Sequence, residues 1–177
     1  MKLILPVDRW GVSLDSDGDG VPDGKDLEPN TPRGLEVDEY GRAVQKEERA
    51  FLDEGIITVY KVTFATGSSR ITSDSYGTLN TLADILAKYP TLNVRIEGHT
   101  DNTGSRALNM RLSRSRAQAV LDYMLRVRPD LNRARFNVVG FGPDKPVSSN
   151  GTAMGRQQNR RVEFVVTNKE ELKKYRQ

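Results

Sequence analysis

The chain has 177 residues, with 27 Lys and Arg, 24 Asp and Glu, a single histidine and no cysteine. The lack of cysteine excludes a disulfide framework and a thiol nucleophile, and the single histidine excludes a zinc site built from several histidines. No apolar run approaches the roughly 20 residues that a membrane-spanning helix requires.

Charge is distributed unevenly along the chain. Residues 1–57 hold 7 basic and 14 acidic side chains, whereas residues 58–177 hold 20 basic and 10 acidic ones. This asymmetry predicts two modules, an acidic one suited to cations and a basic one suited to an anionic ligand. Two ordinary solvated surfaces are the alternative interpretation. Residues 1–14 lack the features of a signal peptide and are predicted to form an N-terminal extension.

Residues 15–26 have the pattern of a twelve-residue calcium-binding loop. Calcium takes about six to eight oxygen ligands, and alternating carboxylates can surround one point when a glycine, here Gly20, permits a tight bend. A flexible acidic linker is the alternative. The predicted calcium ligands are the side chains of Asp15, Asp17, Asp19, Asp23 and Asp26 and the main-chain carbonyl of Val21.

An ordinary EF-hand does not fit this loop, because Pro22 lies inside it and no amphipathic helix precedes it. The stretch instead resembles a thrombospondin type 3-like repeat, whose acidic runs recur in Pro-rich connectors. The resemblance implies that residues 15–42 form a calcium-binding connector. Glu28 and Arg42 occupy the places where related connectors often carry cysteines, so no disulfide is expected. Glu28 and Asp38 are additional candidate ligands.

Regular secondary structure is predicted from residue 43 onward. A linker helix over 43–56 precedes a domain over 57–167, and residues 168–177 are predicted to form a tail or a final helical turn. The elements predicted within the domain are a strand over 57–64, a helix that starts at Thr72 or Ser73 and stops at Tyr89-Pro90, a strand over 92–98, a helix over 105–127, and strands over 136–142 and 162–166.

This order of elements predicts an α+β fold. We expect a β-α-β-α-β-β two-layer sandwich, with helices on one face of a small mixed sheet, after an irregular acidic connector. In the long helix, the spacing predicts a buried apolar stripe and an exposed face that carries Arg111 and Arg114. The predicted stripe consists of Leu108, Leu112, Ala119, Tyr123 and Val127.

Three polar features of the domain are candidates for ligand binding. Asp101 lies in the loop 98–104, just before a helix, and the run 155–161 leads into the last strand. Asn109 and Arg116 are seven residues apart, so they lie about 10 Å apart on nearly the same side of one helix. A carboxylate and a guanidinium held close together suit a zwitterion, whose ammonium would meet Asp101 and whose carboxylate would meet Arg116.

Four separated motifs carry a family resemblance. They are Ile96-Glu-Gly-His-Thr-Asp-Asn-Thr-Gly-Ser105, the helix segment 108–120, Gly140-Phe-Gly and Asn159-Arg-Arg-Val-Glu163. In this order they resemble the OmpA-like domain, the peptidoglycan-binding module of outer-membrane porin-like proteins, peptidoglycan-associated lipoproteins and flagellar stator subunits. The resemblance covers about residues 57–167.

The resemblance implies a non-enzymatic protein that binds the diaminopimelate residue of the peptidoglycan stem peptide. By it, Asp101 and Arg116 clamp the amino-acid end of that residue, Asn109 and Arg160 support the ligand, and Thr103 lines the site. The implied location is the periplasmic face of the outer membrane, to which an N-terminal region outside this sequence would attach the chain. Homo-oligomerisation stays open.

One departure and several alternatives accompany this interpretation. Many relatives carry Asp after the first-strand Phe, where this chain has Ala65. This favours, as the alternative function, a periplasmic protein-docking module whose wall-binding site is weakened or lost.

An enzyme would need Glu97 and Asp101 as a carboxylate pair, but no nucleophile or metal set accompanies them. Nucleic-acid binding is not expected, because aromatic residues are 7% of the chain and are not interleaved with arginines.

Each candidate residue also has a purely structural interpretation. Asp101 could cap the helix that follows it, and Arg116 could be a surface arginine that covers apolar area with its stem. His99 is predicted to be a structural hydrogen-bonding residue rather than a catalyst. Arg161 is predicted to be structural, because strand alternation places it on the opposite side from Arg160.

The calcium prediction is tested on the connector 15–42. Millimolar Ca²⁺ is expected to raise the melting temperature of this segment or to protect residues 15–40 from proteolysis, because the ion would hold together carboxylates that otherwise repel one another. Limited proteolysis and thermal melts, with added calcium and with a chelator, measure the effect. No change under either condition would remove the calcium site.

Overall fold

The computed structural model describes residues 13–18, 20–27, 29–30, 46–60, 62–65 and 67–175. The chain divides into two compact units, with the boundary between Ala50 and Phe51. The predicted calcium ligand Asp19 and the additional candidates Glu28 and Asp38 lie outside the described residues, as do residues 1–12 of the predicted extension.

The larger unit contains a four-stranded mixed sheet, which confirms the predicted α+β fold. The strands follow the order β1-β4-β2-β3, in which β4 is antiparallel to β1 and β2, and β2 is parallel to β3. None of the helices among the described residues combines the length and apolarity needed to cross a membrane. The helices and strands are α1 (Lys46–Glu54), β1 (Ile56–Val59), α2 (Tyr76–Lys88), β2 (Val94–His99), α3 (Arg106–Val127), β3 (Phe136–Gly142), α4 (Ala153–Asn159) and β4 (Val162–Val166).

The two faces of the sheet have different chemistry. Alternation along β2 and β4 directs Ile96 and Phe164, both fully buried, toward the apolar core formed with α2 and α3. The opposite face, called the outer face here, carries charged residues of the same two strands. Its principal residues are Arg95, Glu97, His99, Arg161 and Glu163.

The first half of helix α3 approaches the sheet through small and polar residues, so the predicted apolar stripe was only partly right: Tyr123 is buried, but the two ends of the stripe are not. Leu108 and Val127 are 53% and 37% exposed. A methyl group at Gly98 would lie 2.0 Å from the main-chain oxygen of Ser113, which shows how closely helix and strand approach. The stripe was misplaced in the first half of α3, because apolar periodicity does not mark a contact made by polar and small residues such as Asn109, Ser113 and Ala117. The buried residues of α3 are Asn109, Ser113, Ala117, Val120, Leu121, Tyr123 and Met124.

Two predicted boundaries also differ from the structure. The first strand ends at Val59 rather than at residue 64, and Phe64 makes an isolated antiparallel bridge with Ile71. Thr72 precedes a single turn of 3-10 helix, and its side chain makes no capping hydrogen bond. Its hydroxyl instead contacts the hydroxyl of Thr63, so this segment closes a turn beside the pocket described below. Residues 169–174 form the predicted final helical turn.

The close contact between Gly98 and α3 predicts a strong effect of one methyl group. Gly98→Ala is expected to lower the free energy of unfolding by about 3 kcal/mol, because neither backbone can move away without disturbing the core. Gly77→Ala is the matched control, since a methyl group at this helical glycine meets no atom within 4 Å. The control should leave stability unchanged or raise it by up to about 1 kcal/mol. Urea denaturation measures both, and equal stability of the two variants would contradict the packing.

Candidate ligand-binding site

A narrow pocket lies where the end of β2, the start of β4 and the segment 62–64 meet α3. Its lining includes the side chains of Phe64, Arg116 and Arg160. The loop that connects β2 to α3 runs past this pocket and contains Asp101. The pocket therefore brings together three parts of the chain that are far apart in sequence.

Asp101 is a buried carboxylate held between a backbone amide and an arginine. One of its oxygens accepts a hydrogen bond from the Thr103 N–H at 2.8 Å, and the other accepts one from the Arg160 guanidinium at 2.5 Å. Burial alone would raise the pKa of Asp101, but the hydrogen bonds from Thr103 and Arg160 outweigh it, and the pKa lies below the ordinary value. The carboxylate is therefore ionised at neutral pH.

The alternative role of Asp101 as a helix cap is wrong. Ser105 is the N-cap of α3, and its hydroxyl accepts a hydrogen bond from the Leu108 N–H at 3.2 Å. Because another side chain provides the cap, Asp101 is available for its contacts in the loop.

Asn109 holds the loop in place. Its side chain is buried, and its amide nitrogen donates to the main-chain oxygens of Thr103 at 2.9 Å and Asp101 at 3.5 Å. Asn109 thus holds the loop main chain that carries the Asp101 carboxylate. Thr103 itself is exposed at the edge of the loop.

Arg116 is the half-buried cation of the pocket. Its Nε donates to the main-chain oxygen of Ser68 at 3.1 Å, and its guanidinium carbon lies 4.8 Å from the centre of the Phe64 ring. Burial, together with the nearby charge of Arg160, lowers the pKa of Arg116, although Asp101 acts in the opposite direction. Within the described residues, no protein group accepts a hydrogen bond from the two terminal nitrogens of Arg116. These nitrogens can form a fork for a carboxylate.

Arg160 has a more direct role than the sequence predicted. It lies between α4 and β4, and it forms an ion pair with Asp101 while donating to the Gln157 side chain at 2.5 Å. Asn159 fixes this junction by accepting hydrogen bonds from the Val147 and Ser148 N–H groups at 2.8 and 3.0 Å. The guanidinium nearest to the Asp101 carboxylate is therefore that of Arg160, not that of Arg116.

Sequence analysis missed Phe64, which lines the pocket, and Ser68, which binds Arg116. Ser68 accepts a hydrogen bond from Arg116 through its main-chain oxygen, so the identity of its side chain does not indicate this contact in the sequence. Phe64 was identified only as the end of a strand, 52 residues before the arginine that it contacts. Ala65, the departure from the family pattern, lies next to Phe64 in a turn where its N–H donates to the Arg70 carbonyl at 2.9 Å.

His99 behaves differently from its prediction. The ring is almost fully buried and stacks on Phe141 at a centroid distance of 5.6 Å, yet neither ring nitrogen has a hydrogen-bond partner among the described residues. The prediction of a hydrogen-bonding histidine was wrong, because the nearest carboxylate oxygens, the Oε2 atoms of Glu97 and Glu163, lie 3.6 and 4.0 Å from Nε2, beyond hydrogen-bond distance. Burial, and then the charge of Arg161, lower the pKa of His99 to about 4, despite the opposing charge of Glu163.

Glu97 and Asp101, the two carboxylates that an enzyme would need as a pair, belong to separate hydrogen-bond networks. Glu97 is buried on the outer face of the sheet and accepts a hydrogen bond from the Arg95 Nε at 2.6 Å. Asp101 is paired with Arg160 beside the pocket. Arg161 is structural as predicted, since its Nε donates to Glu163 at 2.6 Å.

The acidic loop forms hydrogen bonds of its own. The carboxylate of Asp15 accepts from the N–H groups of Gly18 and Gly20 at 2.8 and 3.0 Å. Asp23 accepts from both the hydroxyl and the N–H of Ser16, which lowers the pKa of Asp23. The described ligand candidates Asp15, Asp17, Val21, Asp23 and Asp26 lie in this segment. The calcium site stays a prediction.

Comparisons with known proteins agree on one family. A family model described as the OmpA family matches residues 63–160. Outer membrane porin F of Pseudomonas aeruginosa is 40% identical over 156 residues, which are 88% of this chain and 42% of that protein. Peptidoglycan-binding protein ArfA of Mycobacterium tuberculosis is 45% identical over 100 residues, which are 56% of this chain and 30% of that protein.

A solved structure shares the fold of the larger unit. The cell wall anchor of the T6SS from Pseudomonas aeruginosa has a TM-score of 0.55 and 33% identity, over 63% of this chain and 79% of that one. The chain spans less than half the length of the two curated relatives named above.

The low pKa of His99 predicts a specific loss of stability in acid. The charged groups that face the ring are Glu97, Glu163, Arg161 and Lys145. The unfolded ring takes up a proton near pH 6.5, whereas the folded ring stays neutral down to about pH 4. The contribution of the neutral His99 ring to the free energy of unfolding is therefore fully present above pH 6.5. It is lost progressively as the pH falls from 6.5 to about 4.

Wild type is expected to lose about 3 kcal/mol more than His99→Gln between pH 7 and pH 4. Urea denaturation at several pH values measures the difference, and the variant corrects for carboxylates that titrate in both proteins. Parallel pH profiles for the two proteins would show that His99 is not the titrating group.

Proposed function

Because this chain belongs to the OmpA family, we propose that its larger unit binds peptidoglycan non-covalently and anchors the outer membrane or an envelope complex to the cell wall. The names of the relatives, an outer membrane porin, a peptidoglycan-binding protein and a cell wall anchor, support this function. The periplasmic face of the outer membrane, the location predicted from the sequence, agrees with these names.

The observation that carries the proposal is the fork of Arg116, whose two terminal nitrogens have no protein acceptor among the described residues, beside the Asp101–Arg160 ion pair. A stem-peptide residue with a free amino-acid end offers an ammonium and a carboxylate on one carbon. The carboxylate would receive two parallel hydrogen bonds from Arg116, and the ammonium would meet the Asp101 carboxylate. Diaminopimelate has such an end, whereas lysine at the same position offers only an ammonium.

The Asp101–Arg160 pair sets the electrostatic balance of the site. Two guanidinium groups and one carboxylate leave the pocket with a net positive charge, which favours the anionic end of the ligand. When the ammonium arrives, Asp101 can accept from both cations, because a carboxylate has about four lone-pair positions. Arg160 would contact the ligand carboxylate by exchanging its hydrogen bond to the Gln157 side chain.

The expected affinity is weak for one site and adequate for a polymer. Charge-assisted hydrogen bonds contribute roughly 1.5–3 kcal/mol each, and ordering the ligand offsets part of this gain. Two or three such bonds correspond to about millimolar to micromolar dissociation constants. A wall polymer presents many copies of the stem peptide, so a protein held beside it remains bound.

Co-sedimentation with purified diaminopimelate-type peptidoglycan tests the site. Asp101→Ala and Arg116→Ala are each expected to lower the bound fraction at least about tenfold, because each removes one charged contact. Arg111→Ala is the matched control, since Arg111 is an exposed arginine of the same helix. Circular dichroism establishes that the variants are folded.

Two outcomes separate the parts of the proposal. If wild type pellets with diaminopimelate-type peptidoglycan and not with lysine-type peptidoglycan, the diaminopimelate specificity stands. If wild type and both site variants behave alike, Asp101 and Arg116 do not form the binding site. The periplasmic docking module would then be the better interpretation, with Ala65 as the first residue to revert to Asp.

A further inference from the structure

Two glutamates lie directly opposite each other on the outer face of the sheet. Glu97 of β2 and Glu163 of β4 are register partners in an antiparallel pair. Like charges in this arrangement destabilise a sheet, so their presence requires compensation. Each glutamate receives one arginine on its Oε1 atom, from Arg95 at 2.6 Å and from Arg161 at 2.6 Å. Both Oε2 atoms remain directed toward the space between the strands.

The ring of His99 borders the same space. Its Nε2 lies 3.6 Å from the Oε2 of Glu97 and 4.0 Å from the Oε2 of Glu163. The His99 side chain is only 1% exposed, and within the described residues neither of its nitrogens has a hydrogen-bond partner. A buried polar nitrogen without a partner is costly, and its presence calls for an explanation.

We infer that Glu97, His99 and Glu163 form a binding site for a divalent transition-metal ion such as Zn²⁺. The three ligand atoms lie within 4.8 Å of one another. One imidazole nitrogen and two carboxylate oxygens are a ligand set that zinc accepts, with a water molecule as the fourth ligand. This inference does not depend on the proposed function.

The distances are close to those that zinc requires. Bonds of about 2.1 Å in a tetrahedral arrangement place ligand atoms about 3.4 Å apart. The two separations that involve the His99 nitrogen exceed this spacing by less than about 1 Å, which small side-chain rotations of the glutamates can remove. Both arginines can stay on the Oε1 atoms while the Oε2 atoms turn to the metal.

Neighbouring cations limit the affinity of the site, and Lys145 is the one that can move away. Its Nζ lies 3.8 Å from the Oε2 of Glu97 and 3.6 Å above the Phe141 ring, while half of its side chain is exposed. Arg95 and Arg161 are held by hydrogen bonds to the glutamates. The ammonium of Lys145 therefore competes with the metal for the same oxygen, and removal of its charge should tighten binding.

The ring signals of His99 report on this site directly, because the chain contains a single histidine. Nuclear magnetic resonance of the full chain, labelled with ¹⁵N at histidine, is recorded during a titration with Zn²⁺ at neutral pH. Coordination is expected to shift the Nε2 resonance by tens of parts per million, and to saturate at one ion per chain at this ring. If both ring nitrogens keep their shifts up to millimolar Zn²⁺, the inference is wrong.

Variants separate the proposed site from other acidic groups. Glu163→Gln is expected to weaken the zinc affinity measured at the histidine signals by about tenfold or more, and Lys145→Gln is expected to strengthen it. A chain with both Asp15→Asn and Asp23→Asn is the matched control, because it removes carboxylates of the acidic loop and should leave the His99 titration unchanged. A control variant that abolishes the His99 shift would overturn the site.

A folding defect does not obscure the result. If Glu163→Gln fails to fold, Glu97→Gln tests the same ligand set from the other strand, and the wild-type ring signals decide the inference without any variant. Isothermal titration calorimetry of the His99→Gln variant with Zn²⁺ provides a second measurement. Zinc affinity equal to that of wild type in this variant would contradict the site.

Discussion

The close contact between the backbone of α3 and the glycines of β2 and β3 is the constraint on which the rest of the structure depends. A methyl group at Gly98 would lie 2.0 Å from the Ser113 oxygen, and one at Gly140 would lie 2.4 Å from the Arg114 nitrogen. The Ser113 hydroxyl also accepts the Gly142 N–H at 2.9 Å. Because a helix can approach a sheet this closely only over residues without side chains, α3 has one packed position on the sheet.

This position determines the geometry of the candidate ligand-binding site. Asn109 lies one turn before Ser113 and therefore beneath the loop that carries Asp101, whereas Arg116 lies about one turn after it, beside Phe64. The amide thus holds the loop while the guanidinium faces the pocket. Arginines that are positioned before a ligand arrives lose less conformational entropy on binding.

Strand β2 contributes to both faces of the sheet. Gly98 meets the helix on the inner face, while Glu97 and His99 lie on the outer face between charged neighbours. The loop after the strand then delivers Asp101 to the pocket. The segment 97–101 thereby combines a packing contact, a buried polar cluster and the carboxylate beside the pocket.

The amino-acid sequence by itself determined the order of the four strands and of helices α2 and α3 and the mixed α+β architecture, and it indicated Asp101, Arg116 and Arg160 as candidate site residues, because periodicity and short motifs report on local geometry. Only the tertiary structure decided the buried side of α3, the ion pair between Asp101 and Arg160, and the place of Phe64 against Arg116. These contacts join residues separated by up to 59 positions, and no local pattern encodes which side chains meet across such distances. His99 is the clearest case: its position in a strand is local information, but the burial of its nitrogens without hydrogen-bond partners among the described residues follows from the packing of β2 against β4 and Phe141.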